Sequence, residues 1–224
     1  MPSPLYQRSV IAGLFLLLGV SAQADVRDEE IASCRPQEIV TWKDGIDHRV
    51  AVPLVVAYES ADAPPWFTRR EIYATLELAL KGWSGCGLPT VLLPLGQQPP
   101  AGAIRVRWSD AGARGNFGLA NEGDRTLSLG PAAFKLLHER NPKYPALEIL
   151  EMTLAHELGH FHGLMAHSKR CVDVMSYYHD GHGGQCELRE PSAFKSRVEY
   201  RSTLPTACDI ARCRAVNARA DARP

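Results

Sequence analysis

Three side chains with complementary chemistry fall within five residues, in His156-Glu157-Leu158-Gly159-His160. On a helix, residues four apart stand on one face, a turn above each other. His156 and His160 could therefore bind one metal ion through their imidazoles. Glu157 lies about 100° further round, beside the ion and not on it. A carboxylate placed there can take a proton from a water that the metal activates.

The surrounding residues predict that helix. Leu147, Leu150, Leu154, Leu158 and Phe161 recur at three- and four-residue steps as an apolar stripe. Pro145 suits the first turn, and Gly163 suits a stop in a left-handed conformation.

Downstream come Gly163, His167 and Asp173-Val174-Met175-Ser176-Tyr177. Together these residues resemble the metzincin clan of zinc endopeptidases, with HExxHxxGxxH followed by a methionine-containing turn. The HELGH–G–HS run is similar to the matrixin branch, and VMSYY to the Met-turn of astacins and serralysins. The chain departs from the family at one point. The clan's third histidine falls three residues after the glycine, where Ala166 stands, and His167 is one residue late. A loop beyond the helix can absorb that residue, so the expected ligands of one Zn2+ are His156, His160 and His167. His162, about 200° round the helix from His160, is expected to face away, and Asp173 is an outside candidate ligand. By the resemblance Glu157 is the general base, Tyr177 a donor to the developing oxyanion, and Met175 packing beneath the site.

The elements that must position these residues are legible in outline. Arg49–Tyr58 reads as a strand, pairing as a hairpin with Glu38–Trp42 through the turn Lys43-Asp44-Gly45. Thr68 to Glu71 is a capping box that opens a helix to about Trp83, with Ile72, Leu76, Ala79 and Trp83 inward. Thr90–Pro94, Ala103–Trp108 and Thr126–Gly130 read as strands. The 115–120 stretch with the 126–130 strand is the candidate sheet edge, and in the family the outermost strand pairs with substrate. A last helix is expected over Ala193–Tyr200, and a disordered tail from Arg214. The implied fold is α+β and metzincin-like. It has a twisted, mostly parallel sheet with an antiparallel edge strand, an active-site helix and a small C-terminal subdomain.

Residues 1–24 read as a signal peptide: Arg8, a short apolar run from Val10 to Val20, and Ala22-Gln23-Ala24 as the cleavage site. A single catalytic domain is expected over 25–214, divided near 163, with 215–224 as tail. The 25 basic residues balance 25 acidic ones, and loss of Arg8 shifts this by one charge. That balance argues against nucleic acid or an anionic membrane as partner. The six cysteines, all beyond residue 24, read as three disulfides of a secreted or periplasmic protein. Pairing is open from sequence; Cys34–Cys86, Cys171–Cys186 and Cys208–Cys213 is the set that joins neighbours.

The expected function is a monomeric zinc endopeptidase acting on protein or peptide. A zinc amidase acting on cell-wall peptides and a non-catalytic, metal-holding binding or inhibitory module are the alternatives.

Overall fold

The computed structural model describes residues 25–194 and 199–218. The expected signal peptide and the last six residues lie outside them.

A five-stranded sheet carries the fold: β1 (Leu54–Tyr58), β2 (Thr90–Leu92), β3 (Ile104–Trp108), β4 (Gly118–Asn121) and β5 (Thr126–Leu129). Its order is β2-β1-β3-β5-β4. All pairings are parallel except β4 with β5, which is antiparallel and makes β4 an edge. The period-2 alternation of β3 sends Ile104, Val106 and Trp108 inward and leaves Arg105 outside. Leu54, Val56, Leu127 and Leu129 join them on the same buried face.

Two helices, α2 (Arg69–Gly82) and α5 (Ala146–Phe161), pack against each other in that core. Thr68 and Glu71 form the expected capping box of α2. Its inward residues continue into Trp83, whose indole N–H donates to Ala155 O of α5 at 2.9 Å. α5 starts after Pro145 and is closed by Gly163, with φ at 91°. Leu150, Leu154, Leu158 and Phe161 are fully buried, but Leu147 in the first turn is 40% exposed and does not belong to the stripe.

Shorter helices complete the fold: α1 (Val26–Ala32), α3 (Asp110–Ala113), α4 (Pro131–Arg140), α6 (Pro191–Phe194) and α7 (Ala207–Asn217). Of the expected helix over 193–200, the first residues belong to α6 and 195–198 lie outside the described residues. Arg214 to Asn217, expected in a disordered tail, are the last turn of α7. Thr206 and Asp209 form its capping box.

The N-terminal hairpin does not form. Residues 36–38 make a 3₁₀ turn, and the strand after Lys43 begins only at Leu54. The segment before the turn pairs with the C-terminal part instead. Trp42 N donates to His167 O at 2.9 Å, and Lys169 N donates to Val40 O at 2.9 Å. Farther on, Arg27 donates to Tyr200 O and Arg201 O, and Glu30 accepts from the Tyr200 hydroxyl.

Three disulfides are present, Cys34–Cys208, Cys86–Cys213 and Cys171–Cys186. Only the last was expected. Cys208 and Cys213 share a helix at five-residue spacing, which turns them about 140° apart, so each reaches a different partner. The three disulfides fit an oxidising compartment. Among the described residues no helix is long and apolar enough to cross a membrane.

Candidate metal centre

Helix α5 and the loop after it bring three imidazoles together. The ring centroids of His156, His160 and His167 are 5.2 Å apart in every pairing, and a ligating nitrogen from each lies within 4.8 Å of the others. His156 and His160 come from successive turns of α5. His167 comes from the loop, one residue late as the sequence has it.

Each ring is fixed by a hydrogen bond at Nδ1. His156 Nδ1 meets Val174 O at 2.7 Å, His160 Nδ1 meets Leu164 O at 2.8 Å, and His167 Nδ1 meets Asp44 Oδ2 at 2.6 Å. A carbonyl or a carboxylate only accepts, so the proton of each neutral ring sits on Nδ1 and the lone pair on Nε2. His167 Nε2 is buried with no hydrogen-bond partner. Burial and the neighbouring imidazoles hold His156 well below the usual histidine range; burial and His167 lower His160 to about 4. His167 is lowered by burial too, against the pull of Asp44. Three neutral imidazoles, one of them with an orphaned acceptor nitrogen, form a donor set that could hold a metal ion and leave a position open.

Glu157 stands beside the cluster, 7% exposed. Burial pushes its carboxyl up to about 7, although Ala120 N of the edge strand donates to Oε2 at 2.7 Å. Strand β4 comes this close because Gly118 has no side chain. A Cβ there would lie 2.5 Å from Thr153 Cγ2 and 2.8 Å from Glu157 Cγ. β4, α5, Met165, Tyr177 and Arg201 border a cleft of about 410 Å³ that contains His156, Glu157, His160 and His167. Tyr177 stacks on His167 with centroids 3.8 Å apart and is 45% exposed. Burial, with Glu157 and Asp44 nearby, raises its phenol.

Met175 is fully buried and packs under α5 against Gly159. Cys171–Cys186 brackets this turn, and Val174 N donates to Asp209 Oδ2 at 3.0 Å. His162 faces away, stacked on Trp83 with Nδ1 against Leu158 O. Asp173 is not brought to the cluster; it accepts from Ser168, Arg170 and Thr206. His179 and His182 join no metal-binding group among the described residues.

Sequence reasoning missed Asp44, Asp47 and Arg201. Asp44 read only as a turn residue, and no local pattern signals that it docks on a loop 123 residues away. Arg201 reaches the cleft from an irregular segment, where its guanidinium pairs with Glu199 at 2.9 Å.

No family model and no curated protein matches the chain. Among solved structures, a chain of the GM1-bound form of the ECX AB5 holotoxin is similar to it at 13% identity. The match covers 83% of this chain and 92% of that chain with a TM-score of 0.47, a likeness too loose to bear on activity.

Proposed function

We propose that the protein is a zinc-dependent endopeptidase resembling the metzincins. The observation that carries the reading is the meeting of three Nδ1-anchored imidazoles with a buried carboxylate beside an open sheet edge.

His156, His160 and His167 would hold the ion, which supplies a Lewis acid able to acidify water and polarise a carbonyl. Glu157 carries the proton chemistry. Its carboxylate, buried beside the cluster and held by Ala120 N, is placed to accept a proton from the attacking water and return it to the leaving amine. Tyr177 borders the cleft beside His167, and its phenol remains protonated to donate to the oxyanion of the tetrahedral intermediate. A peptide adding antiparallel to β4 would run along the cleft, its main chain held by the strand's open edge.

The test is cleavage of a mixed peptide library by zinc-loaded protein. Internal cuts that a chelator abolishes are expected. A folded, zinc-bound protein that cuts none of the peptides would contradict the reading, and release of cell-wall peptides by that protein would identify the amidase instead.

A further inference from the structure

We infer that Asp44 is a positioning residue of the metal centre, and that the turn around it is what makes the displaced His167 a ligand. The inference rests on the reading of the three histidines as a zinc site.

Both carboxylate oxygens of Asp44 are committed to one residue. Oδ1 accepts from His167 N at 2.8 Å, and Oδ2 meets His167 Nδ1 at 2.6 Å. The first bond fixes the backbone and the second fixes the ring and its proton, so Nε2 is delivered to the cluster with its lone pair free. His156 and His160 instead lean on backbone carbonyls, those of Val174 and Leu164. Only His167 has an anionic partner, which also makes its imidazole a better donor to a cation.

The clamp extends along the loop. Asp47 Oδ1 accepts from Met165 N at 2.9 Å and from Ala166 N at 3.0 Å. Three successive N–H groups, from Met165 to His167, are therefore held by two carboxylates of one turn. Asp47 is braced in turn by Arg212 of α7, whose Nε lies 2.6 Å from Oδ2. Gly45 lets the turn lie flat on the loop, since a Cβ there would sit 2.5 Å from Met165 O. A loop one residue longer than HExxHxxGxxH allows needs such an outside hold, because no helix or strand sets its register.

The test is zinc affinity, measured by chelator competition on the full chain without substrate, for wild type, Asp44→Ala and Asp44→Asn. Near-ultraviolet circular dichroism and disulfide mapping establish that each variant is folded. Asp44→Ala is expected to lose ~10–100-fold in zinc affinity, with Asp44→Asn in between because its amide oxygen still accepts. Should the alanine variant not fold, the asparagine variant decides. A folded variant that binds zinc as the wild type does overturns the inference. Asp44-dependent zinc binding in a protein that cleaves no peptide would uphold it and overturn the endopeptidase reading.

Discussion

Gly159 of α5 lies directly on Met175, and no side chain fits between them. A Cβ on Gly159 would fall inside the Met175 sulfur and 2.9 Å from Trp83 Cζ2. The glycine between Glu157 and the second histidine is thus a packing requirement of the turn that supports the cluster. Gly159→Ala should destabilise the fold by about 1–3 kcal/mol, as overpacking does. It should also lower zinc occupancy by shifting the turn that holds His156 through Val174 O. Thermal melts and metal analysis read the two effects, and an alanine variant as stable and as well loaded as the wild type would contradict this packing.

The edge strand supports the base in the same way. Gly118→Ala should force β4 away from Thr153 and Glu157 and move the Ala120 N–H that holds the carboxylate. Misplacing a reacting group by about an ångström costs on the order of 10²-fold. The expected outcome is a loss of kcat near that size with zinc affinity unchanged. Unchanged turnover would show that β4 does not set the position of Glu157.

Beneath the turn that carries Met175, Asp209 is buried with Oδ1 unpartnered, while Thr206 Oγ1 lies within hydrogen-bonding distance of both Asp209 and Asp173. Burial, and then the charge of Asp173, push the Asp209 carboxyl up from 3.8 to about 7. The folded protein thus binds a proton that the unfolded chain releases near 3.8, and the linked stability is lost as pH rises through about 7. Asp209→Asn keeps an acceptor oxygen for Val174 N and Thr206 N and has no such titration. The wild-type Tm should fall relative to this variant between about pH 4 and 7; parallel curves across that range would contradict the assignment.

The helix of the site was legible because its signals are local. His156 and His160 at four-residue spacing, the leucine stripe and Gly163 are all read within one element. His167 was legible because a loop beyond the helix can absorb the extra residue without turning the helix. The edge strand was found roughly, from the glycine-containing 115–120 stretch beside the short strand at 126–130. What was not legible acts across the chain. Asp44 and Asp47 contact residues more than a hundred positions away, and nothing in a turn sequence names its distant partner. The disulfide pairs failed for a related reason. Without α7, whose start is marked by Thr206 and Asp209, Cys208 and Cys213 look like neighbours and not like residues on different faces of a helix. Leu147 shows the limit of periodicity, since it keeps the stripe's spacing in a first turn that the core does not cover.

In the proposed reaction Glu157 moves the proton at a metal site built by three histidines. Glu157→Gln preserves shape and the hydrogen bond from Ala120 N, but cannot accept the proton. The measurement is peptide cleavage by this variant, with bound zinc measured on the same sample. Zinc bound at the wild-type level and a rate lower by at least roughly 10²–10⁴-fold are expected. A zinc-loaded Glu157→Gln protein that cleaves peptide at a near-normal rate would contradict that role.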